Sequence, residues 1–353
     1  MTCEQAHPDT PLHSPGGHCK KRTPSDLPPS IINKARETVK EAFDAHKHVQ
    51  FEPPKKILTM QELGFGDRGI SPNAVSDPFP LFSKSAIEQM RAEIFSQPVL
   101  DKYHVSSVFA SNQIRGAGPR LTPFIHNAWN SPQVLAAVSQ VAGVDLIPVF
   151  EYDTGHCNVS VRPDGDTSTP PPSSPPPRGT EAEKDEKEVF GWHEDCFPFV
   201  CVVMLSDCSE MVGGETMLKT GNGELLKVRG PSKGTAVVMQ GRYIPHAALA
   251  AHGGRERIAM VTSFRPRDPH AKDDSFLGGV RRISHVPTVY QQYAEYRLEN
   301  LEERLRRELK KVRMEGKAVG AVEFDYKRTR AWLEEQRDFI GVMIEELKDE
   351  KCC

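Results

Sequence analysis

Apolar residues along this chain recur in two different periods, and the switches between them divide it into stretches. Up to about residue 145 the spacing is mostly helical. Ser30 stands where an N-cap would introduce Ile32, Ala35, Val39 and Phe43 on one helical face, and residues 56–60 then predict a first strand. In PFPLFSKSAIEQMRAEIFS, Ser83 or Ser85 precedes Ile87, Met90 and Ile94, so an extended lead-in feeds an amphipathic helix. SPQVLAAVSQVAG predicts another, with Pro132 in its first turn and Gly143 near its end. From Leu146 short β-prone runs take over: LIPVFEY, HCNVSV, PFVCVVML, GETMLKT, LLKVRG, GTAVVMQ and RIAMVTSF, parted by Gly, Pro and Asp turns. Seven or eight strands at such spacing predict a sandwich or barrel. After Asp273 the helical period returns in two long stripes, Leu298, Leu301, Leu305, Leu309 and Val312, then Trp332, Phe339, Met343 and Leu347. Packing of both stripes against the barrel is the expectation, with a homodimer contact through these helices or a cover over the site as the alternatives.

The resulting division is a tail over residues 1–30, a helix-and-strand support over 31–145, a β core over 146–272 and C-terminal helices over 273–353. Within the core, residues 164–188 are proline-rich and then charged, the composition of a mobile insertion between two strands. At 38% hydrophobic and 26% charged residues, the 353-residue chain is a globular core diluted by polar segments. Its formal net charge of −3 supplies no concentrated positive face for nucleic acid or an anionic membrane. The longest apolar run, residues 199–205, is far short of the roughly 20 residues that span a bilayer. The N-terminus lacks the apolar segment of a secretory signal, and the eight cysteines show neither CxxC spacing nor a disulfide frame, so reduced thiols and a cytoplasmic location are expected.

The chemistry centres on GWHEDCFPF. Alternate residues of a strand share a face, so His193 and Asp195 are placed to converge on one metal. A third ligand has to come from a distant strand, and His246, 53 positions after His193, follows the run GTAVVMQ. Two histidines and one carboxylate on one face make the facial triad of non-haem Fe(II), with zinc as the rival metal. His156 stands as an outside candidate for a ligand.

FVCVVMLSDCSEMVGGETML resembles the strand and GG-x-T turn of prolyl-hydroxylase-like Fe(II)/2-oxoglutarate oxygenases. PSKGTA is similar to that family's P-x-x-G-x-A strand entry, and the distal histidine and a following basic residue come in the family's order. The resemblance spans residues 150 to 267, and the region before it is similar to the helical support of fungal members. It implies a double-stranded β-helix, of the jelly-roll or cupin-like kind, and a soluble enzyme using Fe(II), 2-oxoglutarate and O₂. Arg257 is then the residue for the distal carboxylate of 2-oxoglutarate, with Arg255 its competitor because the strand register is open. Many relatives carry Ser or Thr two positions after this arginine; here stands Ala259, so Thr216 or Tyr152 is left to supply a hydroxyl. Asn158 occupies a place where relatives often set a polar group against the other carboxylate. Asp195 argues against halogenation, which needs a small residue there, and for hydroxylation, desaturation or ring closure.

A small metabolite is the expected substrate, and a free amino acid such as valine or isoleucine in fungal secondary metabolism is the specific option. A peptidyl-prolyl substrate is the alternative within the class. A zinc or other divalent-metal cupin acting as a hydrolase or isomerase, and a non-catalytic binding barrel, are the readings outside it.

Overall fold

The run Phe199–Met204 lies in the middle of the larger of two facing antiparallel sheets, which explains why it reads as continuously apolar: both of its faces are covered. The structure, a computed structural model, describes residues 27–106, 112–161, 188–208, 211–228, 232–249, 251–252, 256–317 and 324–348. Along the larger sheet the strands run Ile57–Thr59, Asn73–Ser76, Thr235–Met239, Phe199–Met204, Glu256–Pro266, His156–Val161, Gln113–Ile114 and His104–Val105. The smaller sheet runs Leu225–Val228, Thr216–Lys219, His246–Leu249 and Glu188–His193. Starting at His156–Val161, the chain passes to the smaller sheet and back to the larger three times, ending in Glu256–Pro266. That winding is the double-stranded β-helix, so the expected fold class is the observed one.

Side-chain alternation sorts the larger sheet into two interfaces. Cys157, Val159, Cys201, Val203, Ile258, Met260 and Phe264 pack on the helices Lys84–Ile94, Pro123–Trp129 and Pro132–Ala142. Val200, Val202, Val237, Met239 and Val261 pack instead against Leu218 and Ile244, on the side of the smaller sheet. Burial pushes the Cys157 and Cys201 thiols far above the usual thiol range. Ser83 Oγ accepts from the N–H of Ala86, one of the two caps expected there, Ser131 Oγ accepts from Val134, and Gly143 closes its helix at φ 72°, whereas Ser30 is not an N-cap: its helix begins at Pro29, whose fixed φ suits a first turn, and Pro28 holds the cap position.

Three further expectations are corrected. The first helix, Pro29–Glu37, stops before Val39 and Phe43, because the side chain of Gln89 bonds Val39 O and the N–H of Glu41 and holds that segment off the helix. The tail ends earlier than residue 30, since Leu27 belongs to the core; residues 1–26 lie outside the described residues, as does most of the 164–188 insertion. The stripe Leu298–Leu305–Leu309 does not face the barrel. Those leucines are about half exposed, while Val286–Glu315 turns Val289, Tyr293, Tyr296, Arg297 and Arg304 inward. Phe339 of Tyr326–Glu346 lies under both guanidinium groups, 3.8 Å from Arg297 and 4.2 Å from Arg304, so this interface is built from stacked cations and rings rather than leucines. In the second stripe Phe339 and Met343 are buried as expected. Among the described residues no helix is long and apolar enough to cross a membrane.

One buried group makes this packing pH-sensitive. His126 is enclosed beside the carbonyls of Thr122 and Glu151, and burial pushes its pKa down to about 4. Between pH 6.5 and about 4 the unfolded chain therefore takes up a proton that the folded His126 does not, and stability falls as pH falls through that window. The His126→Gln variant is expected to show a shallower decline in melting temperature over this range than the parent by calorimetry; equal declines would show that His126 does not couple to folding.

Candidate metal centre

His193 is the last residue of its strand and His246 the first of its own, and the two stand directly opposite in register. Their ring centroids are 4.3 Å apart. Each ring is oriented in the same way, by its Nδ1 lying 2.8 Å from the carbonyl oxygen two residues earlier, Gly191 for His193 and Ile244 for His246. With the proton assigned to Nδ1 as the donor, both Nε2 lone pairs are left for a metal. Burial lowers the His246 pKa, favouring the neutral imidazole that coordination requires.

Asp195 does not lie in the strand with His193, so the alternation invoked from sequence is not what brings it in. It sits two residues beyond, in a turn fixed by its N–H donating to Gly241 O at 2.9 Å. Its Oδ1 comes 3.8 Å from His193 Nε2 and 3.7 Å from His246 Nε2, and the three ligand atoms lie within 4.8 Å of one another. Its Oδ2 is buried with no hydrogen-bond partner among the described residues. A buried carboxylate with an oxygen that lacks a donor is costly in a finished structure, and a divalent cation held by the two imidazoles and Oδ1 would compensate its charge. The loop is further tied by Glu194, bonded to Arg68 Nη2 at 2.6 Å.

Gly241 was not singled out in the sequence. A Cβ there would come 1.8 Å from Asp195 Oδ2, so only glycine lets the carboxylate reach its place. The sequence signal was a glycine directly after GTAVVMQ, which reads as an ordinary turn; nothing in it shows the opposing carboxylate.

The other candidates divide. In Glu256–Pro266, Ile258 and Met260 face the helices and Val261 faces the smaller sheet, so Arg257 and Ala259 project between the sheets. Arg257 is partly buried, and among the described residues its one hydrogen bond, 3.5 Å to Gly214 O, is long. Burial lowers its pKa, and among the described residues it has no carboxylate partner. Arg255 lies outside the described residues. Asn158 pairs with Ala259 on the same inner face, where its Oδ1 accepts from Gln113 Nε2 at 2.7 Å. Thr216 pairs with Ala248 and shares the face of Leu218, the partner of His246. Tyr152 is held elsewhere, its hydroxyl accepting from His285 N at 2.8 Å and its ring clustered with Phe197 and Leu277. His156 is not among the ligands; it belongs with Asp153, 3.8 Å away.

No family model matches the chain, and no curated protein sequence does. Solved structures do. A 2OG-Fe(II) oxygenase family oxidoreductase from Burkholderia pseudomallei aligns at 16% identity and TM-score 0.30 over 43% of this chain and 66% of that one, just under two thirds of its length. A Pseudomonas putida prolyl-4-hydroxylase aligns at 17% identity and TM-score 0.32, over 62% of this chain and 99% of that one. A prolyl 4-hydroxylase structure from Phytophthora capsici aligns at 14% identity and TM-score 0.38, over 67% and 70%.

Replacing Gly241 by Ala is expected to displace Asp195 and weaken divalent-metal binding at least tenfold, while circular dichroism shows the barrel intact. His246→Ala, which removes a ligand outright, is the reference. Titration of Mn(II), followed by electron paramagnetic resonance, reads both; wild-type affinity in Gly241→Ala would refute the packing constraint.

Proposed function

We propose that this protein is a Fe(II)- and 2-oxoglutarate-dependent oxygenase that oxidises an unactivated C–H bond of a small metabolite. The observation that carries the reading is Arg257, a partly buried cation without a carboxylate partner among the described residues, set between the sheets that hold a two-histidine, one-carboxylate cluster. A cation so placed is costly alone and is offset by an anion. A zinc hydrolase built on the same triad has no use for it.

In this reading His193, Asp195 and His246 hold the iron. When bound, Fe(II) supplies the redox chemistry that couples decarboxylation of 2-oxoglutarate by O₂ to oxidation of the substrate. The protein's own part is orientation and dryness. Arg257 receives the distal carboxylate in a two-pronged, charge-assisted pair, and Asn158 beside it and Thr216 on the facing sheet offer polar groups. Val202, Val237 and Val261 line that space with apolar surface and keep water from the reacting centre. With a carboxylate at position 195 the outcome is hydroxylation, desaturation or ring closure, and a free amino acid of the valine or isoleucine type is the substrate we favour over a peptidyl-prolyl chain.

Wild-type protein with Fe(II), O₂ and 2-oxoglutarate is expected to release succinate, and more of it when substrate is present. Truncating one partner of a buried charge pair costs roughly 2–5 kcal/mol, and at about 1.4 kcal/mol per tenfold that is about thirty- to several-thousand-fold in affinity. Arg257→Ala should therefore weaken 2-oxoglutarate binding by at least tenfold and leave iron occupancy nearly intact. Anaerobic titration following the visible charge-transfer band measures the first and metal analysis the second. Unchanged 2-oxoglutarate affinity in this variant, or the absence of succinate from the wild type, would transfer the assignment to the zinc-cupin reading.

A further inference from the structure

Beside the metal loop lies a second buried polar cluster that the metal and 2-oxoglutarate do not use. Asp153 is wholly enclosed; Arg115 Nη2 and Ser263 Oγ donate to its two oxygens, and His156 Nδ1 lies 3.8 Å from it. Arg115 also donates from Nε to Ser284 Oγ at 3.2 Å. Two groups are left open: Arg115 Nη1 makes no hydrogen bond among the described residues, and His156 Nδ1 is buried without a hydrogen-bond partner.

The register places this cluster at the metal end of the barrel, opposite to Arg257. Ser263 pairs with Val200, at the start of the strand that leaves the metal loop, and His156 pairs with Val261, whose side chain faces the inner space. The turn Glu151–Asp153 packs on the metal loop directly, through Phe150 against Phe197 at 5.3 Å.

We propose that Arg115, Asp153 and His156 form the substrate subsite and that it takes a small zwitterion, an α-amino carboxylate, with the carboxylate on Arg115 and His156 and the ammonium on Asp153. This rests on the oxygenase reading and deepens it. Taken together Arg115 and Asp153 carry no net charge, and burial pushes the His156 pKa down to about 4, so the imidazole is neutral at pH 7. A ligand carrying only a carboxylate or only an amine adds one uncompensated charge to an enclosed site, which is strongly penalised. A ligand carrying both adds none. The open Arg115 Nη1 and His156 Nδ1 give the carboxylate its donors, and the carboxylate of Asp153, already an anion in the dry interior, gives the ammonium its partner.

The test is calorimetric titration of the full-length protein, loaded with Ni(II) and 2-oxoglutarate, using L-valine and its two half-ligands, isovalerate and isobutylamine. Wild type is expected to bind valine and neither half measurably. Asp153→Asn, which keeps the shape and removes the charge, is expected to lose at least tenfold in valine affinity and to gain binding of isovalerate, since the site then carries a net positive charge. A merely structural role for the ion pair would not produce that exchange of preference. His156→Asn, at the rim of the cluster, should weaken valine about tenfold and decides the matter if Asp153→Asn fails to fold. Valine binding unchanged in a folded variant overturns the subsite and leaves the amino-acid reading standing. If wild type binds 2-oxoglutarate but neither valine nor isoleucine, the amino-acid reading fails and the subsite fails with it.

Discussion

The cross-strand pairing of His246 with His193 is the constraint on which the rest of the site depends. His246 comes from an inner strand of the smaller sheet and His193 from the edge strand beside it, and they meet only because the chain winds twice through both sheets before returning. One residue of slip in either strand would turn an imidazole to the other face. The register is held on both sides: Leu218, deep in the inner core, pairs with His246, and Gly241 receives the N–H of Asp195. Metal geometry is thus a property of sheet closure rather than of a local motif.

Much of this was legible in the sequence. The β-prone runs from Leu146 to Phe264 locate most of the core strands, because a strand buried on one or both faces must show a period of two or an unbroken apolar run. The cluster His193, Asp195 and His246 was named from strand spacing and chain order, and Arg257 from the resemblance. What was not legible depended on contacts between distant residues. The strands Gln113–Ile114 and His104–Val105 are too short to show a period at all. The inward face of Val286–Glu315 carries Arg297, Asn300 and Arg304, so an apolar stripe is the wrong signal for a helix whose contact is made by cations over a phenylalanine. Asp195 lies outside the strand whose alternation was used to place it, and the residue that does place it, Gly241, has no side chain to mark its importance.

The geometry also separates two electrostatic tasks. At one end Arg257 has no carboxylate partner among the described residues; at the end of the His193, Asp195 and His246 cluster Arg115 and Asp153 form a balanced pair. In the proposed reading these opposite demands give cosubstrate and substrate separate addresses without any difference in size or shape, since each would be penalised at the other's position by unpaired charge.

The thiols have a bearing on durability. Cys157 and Cys201 lie back to back with the helical layer, Cys196 lies beside the metal loop, and burial raises all three above the range in which a thiolate forms near neutral pH. Oxidation of sulfur proceeds through the thiolate. If the protein brings O₂ to a reduced metal, as proposed, its own side chains are exposed to stray oxidants, and the Cys196 sulfur beside that loop is kept in its least reactive form by the same packing that shapes the barrel.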